Sequence, residues 1–325
     1  MDPTSVTVEM MRRIEKTRVE PDAPGDFDAF WRATLEELER IPLRLEVTPC
    51  PSPQGFDDVF CAIWKADGLG GRRIGGPLAM PKDGFRALWV YGHGYGSTDS
   101  GSGWRPDLAR RGFAALGVDA RGYGKSREPG DPGVPGWITH GIGDIHSYIL
   151  RGAVMDTVRA VQAARSLEGA DACKTVLSGF SFSGGLAVMA APWIADLAYV
   201  AVGVPTFGAY DLRRTLVKGG SGAEINRLFE RLSEAEARDL RDRLRYFDAV
   251  NFAARVRGVP VTVGYGAVDP IVPGETVAAI YNALATKDKE ILGYPCAHYD
   301  HPLAAKWAEF ERHILERAER LVGLA

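Results

Sequence analysis

Hydrophobic and polar positions change period several times along this chain, and each change marks an element. Asp26 to Arg40 (DFDAFWRATLEELER) opens on acidic residues and then spaces its apolar ones helically, which predicts an amphipathic helix. Leu43 to Pro81 alternates between Gly-rich breaks, the pattern of early antiparallel strands and hairpins. From Arg86 the rhythm becomes apolar strand, then helix, repeatedly. ALWVYG is a buried strand, Pro106 to Arg111 lies in a short helix, and FAALGVDA is a second buried strand. A helix over Asp156 to Ser166, a strand from Lys174 to Leu177 and another helix follow, and Ala198 to Val204 is the next strand. The later chain gives a strand over Val261 to Tyr265, a helix from Thr276 to Leu284, a strand from Glu290 to Tyr294 and a C-terminal helix from Ala304 to Leu321. Continuous apolar strands alternating with helices must be covered on both faces, so the expected class is α/β with a mostly parallel central sheet.

Phe207 to Ala254 breaks this rhythm. It is rich in charge and helix formers (SEAEARDLRDRLRYF) and shows no strand, so it reads as a helical insertion at the C-terminal edge of the sheet, where lids and substrate walls sit. Its charge run is expected to be a solvated helix face. The domain reading is therefore one α/β unit over 1–325, with residues 1–80 as an N-terminal extension plus early strands and 207–254 as a helical insertion or lid.

Composition narrows the class without naming a function. A hydrophobic fraction of 46% and a charged fraction of 25% are those of a soluble globular protein. A net charge of −3 gives no reason to expect nucleic acid or an anionic membrane as partner. Cys50, Cys61, Cys173 and Cys296 lie far apart with no C-x-x-C spacing and read as buried thiols rather than a metal site or disulfide framework. The first residues (MDPTSVTVEMMRRIEKTR) are polar and charged, unlike a secretory signal. The longest apolar stretch, Leu186 to Val204, is interrupted by Pro192 and Asp196 and reads as a buried helix plus a buried strand. A cytoplasmic protein is the expectation.

The most informative segment is KTVLSGFSFSGGLAVMAA, Lys174 to Ala191. A short strand runs through Ser-Gly to a serine and a glycine-rich helix start, the form of a nucleophile elbow. Two registers are open. Around Ser181 the small residues are Gly179 and Ser183; around Ser183 they are Ser181 and Gly185. Neither completes G-x-S-x-G. Ser181 is the better candidate because the strand-like residues Thr175 to Leu177 stop at the right distance before it. A serine hydroxyl needs a base, and the base needs a carboxylate to fix its tautomer. Asp269, in VTVGYGAVDPIVP, and His298, in EILGYPCAHYDHP, each follow a strand and come in the order Ser, Asp, His. His301 is the runner-up base, with Pro302 early in the last helix. The oxyanion donors are expected to be the backbone amides of Phe182, after the nucleophile, and Tyr95, in the loop of WVYGHGYGSTDSGSG. His93 is expected to brace that loop beside Gly94, and Arg121 to tie loops together through carbonyl or carboxylate contacts. No H-E-x-x-H, EF-hand or phosphate loop is present, so no metal and no cofactor is expected.

Over nearly its whole length the chain resembles the acetyl xylan esterase / cephalosporin C deacetylase family of carbohydrate esterases, within the α/β-hydrolase superfamily. The resemblance lies in DFDAFWRATLEEL, YGHGYGS, WITHGIGDIHSYILRGAVMDTVRAV, GFSFSGGLA, VGYGAVDPIVPGETVAAIYNAL and GYPCAHYD. It implies the α/β-hydrolase fold, Ser181, Asp269 and His298 as triad, a small acylated sugar or small-molecule ester as substrate, and a homo-oligomer, commonly a hexamer in this family. The family's Arg-Gly-Gln is here Arg121-Gly122-Tyr123, its Gln after the nucleophile is Phe182, and its acid after the histidine is Tyr299. These three aromatic residues are expected to make the pocket more aromatic. They keep two other readings open: a hydrolase of the same fold for other acyl groups or peptides, and a non-catalytic binding protein.

Overall fold

In strand β4 (Ala87–Gly92), Leu88 and Val90 are buried in one hydrophobic cluster while Ala87, Trp89 and Tyr91 are buried in another. Side chains two apart on a strand share a face, so this strand has a core on each side. Strand β5 (Phe113–Val118) divides likewise: Ala114, Leu116 and Val118 on one face, Phe113 and Ala115 on the other. A computed structural model describes residues 5–52, 56–96, 101–299 and 304–325 of the chain. The remaining strands are β1 (Glu46–Pro49), β2 (Val59–Asp67), β3 (Arg73–Pro81), β6 (Lys174–Phe180), β7 (Leu197–Gly203), β8 (Val261–Gly266) and β9 (Lys289–Tyr294). They form one sheet in the order β1-β2-β3-β5-β4-β6-β7-β8-β9. The first three run antiparallel, as does the β3–β5 pair, and every pairing from β5 through β9 is parallel.

Helices α4 (Ile149–Arg165), α5 (Phe182–Ala190), α9 (Ala249–Ala253) and α10 (Gly274–Ala283) contribute to the larger cluster; α3 (Pro106–Ala109) and α11 (Ala304–Val322) contribute to the other. The helix expected over Asp26–Arg40 is α2 (Phe27–Glu39), with Phe27, Trp31 and Leu38 fully buried. Residues 207–254 hold α6 (Tyr210–Leu216), α7 (Gly220–Phe229), α8 (Glu234–Arg245) and α9, with no strand among them. The charge run is α8, of which Leu240 and Leu244 alone are buried, and Ser233 and Glu236 close a capping box at its start. Among the described residues no helix is long and apolar enough to cross a membrane. No disulfide forms among the described cysteines; Cys61 and Cys296 are buried as expected, whereas Cys50 and Cys173 are half-buried.

Two elements differ from expectation. Helix α1 (Val8–Glu15) forms in the polar N-terminal segment, capped by Thr7, whose hydroxyl accepts from the Met10 amide at 3.1 Å. Its local signal is weak, but tertiary contacts hold it: Ile14 is buried, Tyr265 donates to Glu15 at 2.9 Å, and Asn282 donates to the Glu15 and Thr17 carbonyls at 2.9 and 2.7 Å. Helix α4 begins at Ile149, seven residues before the sequence pattern suggested. That extra stretch is buried on most sides, which blurs its helical period, and Gly152 stands in it for a tertiary reason: a Cβ there would lie 2.0 Å from the Arg121 guanidinium.

Helix α11 packs close to the sheet because two strands present glycine to it. A Cβ on Gly264 would lie 2.7 Å from the Phe310 ring, and one on Gly203 would meet Phe310 at 3.2 Å and the Phe180 ring at 2.4 Å. Phe310 is 2% exposed, so its ring must shift to admit an added methyl. Overpacking of this kind costs typically about 1–3 kcal/mol. Gly264→Ala is therefore expected to lower the unfolding free energy by that amount, read as a lower urea midpoint between unfolding curves of equal slope.

Candidate active site

Strand β6 runs to Phe180 and α5 starts at Phe182, so the reversal is made at Ser181 alone, with φ 56° and ψ −111°. A non-glycine residue is rarely held at positive φ. The surroundings fix it here. The Ser181 amide donates to the Gly203 carbonyl at 2.9 Å, and its carbonyl accepts from Gly185 at 3.0 Å and Thr206 at 3.2 Å. The turn closes because its neighbours are small: a Cβ on Gly179 would sit 2.3 Å from the Ser183 carbonyl oxygen, and one on Gly92 2.6 Å from the Ser183 Cβ. The two registers separate cleanly. The Ser183 hydroxyl is used inside the turn, bonded to the Phe180 amide at 3.0 Å and the Phe180 carbonyl at 3.1 Å. Ser181 is the residue at the apex.

Asp269 and His298 leave the ends of β8 and β9 on loops stitched together as an extension of the sheet. Ala267 donates to the Tyr294 carbonyl at 2.8 Å and Val268 to the Cys296 carbonyl at 3.2 Å. One Asp269 oxygen accepts from the Ile271 and Val272 amides at 2.8 and 2.9 Å; the other meets His298 Nδ1 at 2.7 Å. A carboxylate so placed makes Nδ1 the proton-bearing nitrogen and leaves the lone pair on Nε2. Both side chains are almost fully buried. The Phe180 ring, one residue before Ser181, lies 5.8 Å from the His298 ring and stacks edge-on against Trp307 at 4.8 Å. Trp307, on α11, also donates to the Ala297 carbonyl at 3.2 Å, so α11 braces the loop that carries His298. His301 and Pro302 lie outside the described residues.

The loop after β4 is anchored to the elbow and to its neighbours. The Ser183 amide donates to the His93 carbonyl at 3.2 Å. His93 Nε2 accepts from the Ala120 amide at 3.1 Å, which places the proton on Nδ1, 3.0 Å from the Gly94 carbonyl it donates to. His93 thus holds its own loop against the 119–126 loop, and is spent on that bond pair. Tyr95 and Phe182 donate no backbone hydrogen bond among the described residues; Phe182 is the first residue of its helix, where an amide has no partner within the helix. The Tyr95 hydroxyl donates to Glu224 at 2.9 Å and accepts from Ile138 at 3.3 Å, and the other Glu224 oxygen accepts from Gly136 at 2.7 Å. Glu224 lies on α7, so the helical insertion is latched to this loop.

Arg121 faces away from Ser181. Its guanidinium grips the fully buried Asp156 at 2.9 and 2.8 Å and touches the Leu69 carbonyl at 3.3 Å, while its own carbonyl accepts from Trp137 at 2.8 Å. The expectation of a more aromatic pocket is corrected. Phe182 is 0% exposed, its ring enclosed by His93, Tyr95, Tyr123, Trp137 and Phe207 at centroid distances of 5.0–5.8 Å. The Tyr123 ring is buried in the same cluster, and Tyr299 is 75% exposed. The first two are core side chains; Tyr299 stands in solvent beside the His298 ring, 4.7 Å away. Glu224 and Trp307 escaped the sequence reading, since each acts through a contact made by folding, and no local signal distinguishes them from other helix residues.

The family model described as acetyl xylan esterase (AXE1) matches residues 6–313. The acetyl esterase Axe7A of Xylanibacter ruminicola is 26% identical over 284 residues, 84% of this chain, which spans 62% of that esterase. Among solved structures, an acetyl xylan esterase from Paenibacillus sp. R4 is similar with a TM-score of 0.80 and 26% identity, covering 94% of this chain and 99% of the other. Acetyl xylan esterase 1 from Thermoanaerobacterium sp. JW/SL YS485 shares the fold, with a TM-score of 0.79 and 24% identity over 94% of this chain and 98% of its own.

Burial, opposed only by the bond to the Gly94 carbonyl, pushes His93 down to about 4. An unfolded histidine titrates near ~6.5. Between these values the unfolded chain takes up a proton that the folded chain refuses. This part of the stability is therefore complete above about pH 6.5 and lost as pH falls to about 4, by up to ~3 kcal/mol. Denaturant titrations at about pH 7 and about pH 4.5 should show a smaller drop in His93→Gln than in the parent; equal drops would remove His93 as a source of acid sensitivity.

Proposed function

The chain belongs to the acetyl xylan esterase family, whose model spans residues 6–313, and from this we propose a serine carboxylic-ester hydrolase that removes acetyl or other small acyl groups from an alcohol, preferably a sugar. The observation that carries the reading is the pairing of a strained elbow at Ser181 with the buried Asp269–His298 contact of 2.7 Å, all at the same ends of parallel strands. Ser181 attacks the acyl carbonyl while His298 Nε2 takes its proton. Asp269 holds the imidazole in the required tautomer and stabilises its cation. The negative charge that grows on the carbonyl oxygen is met by the backbone amides of Tyr95 and Phe182, donors that gain most when the charge is fullest. His298 then gives the proton to the departing alcohol, and water repeats the sequence on the acyl-enzyme. A deacetylase acting on cephalosporins, and assembly into a homo-oligomer, are finer parts of the same proposal and rest on the family resemblance.

Fluorophosphonate treatment followed by peptide mass mapping is expected to place the label on Ser181. Ser181→Ala should lower kcat for acetyl esters by about a million-fold and Asp269→Asn by about ten-thousand-fold. Failure to label intact, folded protein would replace the hydrolase with the binding-protein reading. A panel of acetylated sugars, cephalosporin C, longer p-nitrophenyl esters and aminoacyl amides tests the substrate class, and preference for the amides would sink the deacetylase.

Glu224 positions the Tyr95 side chain and thereby the loop that carries one oxyanion donor. Glu224→Ala is expected to reduce kcat roughly tenfold with a smaller change in KM, because an oxyanion contact is made mainly in the transition state. Steady-state kinetics separates this from a purely structural role, which would lower the melting temperature and leave both constants of the folded protein unchanged.

A further inference from the structure

The turn between β7 and α6 contains three non-glycine residues at positive φ: Val204 at 39°, Phe207 at 70° and Ala209 at 54°. Such conformations persist only where the surroundings over-determine them, and they collect at ligand clamps and active sites. Here Val204 donates to the Gly264 carbonyl at 2.8 Å, Thr206 to the Ser181 carbonyl at 3.2 Å, and the Phe207 carbonyl accepts from Ala249 at 2.8 Å. Asp248 takes the Ala209 and Tyr210 amides at 2.9 and 3.0 Å. The turn is thus bonded directly to Ser181.

The same segment carries buried polar atoms with no hydrogen-bond partner among the described residues: Thr206 Oγ1, Tyr210 Oη, and Arg213 Nε and Nη1. These residues are 3%, 7% and 2% exposed, as recessed as Ser181 at 7% and His298 at 4%. Tyr210 and Arg213 are three apart on α6 and share a face. Arg213 bonds Ser221 Oγ through Nη2 at 3.3 Å. A guanidinium offers five donors and no acceptor and stays charged, so leaving most of it buried and unbonded is costly. Burial depresses its basicity, and the acidic groups that oppose this include Asp248 and Asp269. Both of those carboxylates are already engaged, Asp269 by His298 and two amides, Asp248 by the Ala209, Tyr210 and Val250 amides. What the cluster lacks is an anion to share its donors, and a charged acceptor forms the strongest bonds with a guanidinium.

Resting on the esterase reading of Ser181, we propose that Arg213, with the hydroxyls of Tyr210 and Thr206, forms a carboxylate-binding subsite beside the nucleophile. The carboxylate has two sources: a carboxylate carried by the ester itself, as in an acetylated hydroxy acid, or the acid released by hydrolysis.

The test compares the parent protein, Arg213→Met and Arg213→Lys on the 3- and 4-acetoxybenzoates and on the matching acetoxybenzamides, which differ from them in charge but hardly in size. If the substrate supplies the carboxylate, the parent should prefer a benzoate to its amide in kcat/KM by roughly tenfold or more, the size of a charged hydrogen bond. Arg213→Met should lose that preference and Arg213→Lys keep part of it. If the released acid supplies it, acetate should inhibit hydrolysis of the benzamides, and the inhibition should weaken roughly tenfold in Arg213→Met. Calorimetric titration of Ser181→Ala with acetate and benzoate needs no turnover. Anion binding there without hydrolysis of any ester by the parent would keep the subsite and end the esterase reading. No charge preference, no acetate inhibition and no anion binding would overturn the subsite, as would a lower melting temperature in Arg213→Met with its charge preference unchanged.

Discussion

A strand that must become a helix within one residue leaves little freedom to anything near it, and the Ser181 turn sets the terms for the surrounding structure. Its left-handed backbone brings the start of α5 so close to β6 that position 179 has no room for a side chain and position 183 has room for a serine whose hydroxyl bonds back into the turn. The same closeness excludes a Cβ at Gly92, so the end of β4 can lie against the elbow. That contact lets the Ser183 amide hold the His93 carbonyl, and thereby brings the Tyr95 loop to Ser181. The approach of the 93–95 loop to Ser181 follows from one backbone angle more than from any attraction between them.

Around this turn the protein handles buried polarity in two ways. Arg121 and Asp156 satisfy each other in a two-point contact, and Gly152 is spent on making room for it. Asp269 is completed by two amides and a histidine. These are closed arrangements, in which each group raises the cost of moving the other. On the segment from Thr206 to Arg213 the accounts stay open, with donors unbonded and backbone strained. The closed networks include Asp269 and His298; the open one is bonded to the Ser181 carbonyl through the Thr206 amide.

How much of this could be read beforehand depends on whether the signal was local. The parallel strands were legible because their apolar runs are bounded by turn residues, and Asp269 and His298 were legible because each follows such a run. The elbow was visible as a strand running through Ser-Gly to a serine, and Ser181 was preferred to Ser183 from a strand expected to stop at Leu177 and from the family resemblance; the strand in fact extends to Phe180. What escaped was decided by tertiary contact. Helix α1 is held by Tyr265 and Asn282, residues more than two hundred positions away. Glu224 reaches Tyr95 from the insertion. Phe182 looked like a change to the pocket because it adjoins the nucleophile, but along a helix neighbouring side chains diverge by about a hundred degrees, and its ring points into the core.

The brace between Trp307 and the Ala297 carbonyl has a consequence for biosynthesis. A chain made from its N-terminus acquires the elbow at residue 181 well before the imidazole at 298, and the helix that steadies that imidazole is added after it. During translation Ser181 is therefore made before His298, and the Asp269–His298 contact waits until β9 can join the sheet and α11 can brace its loop.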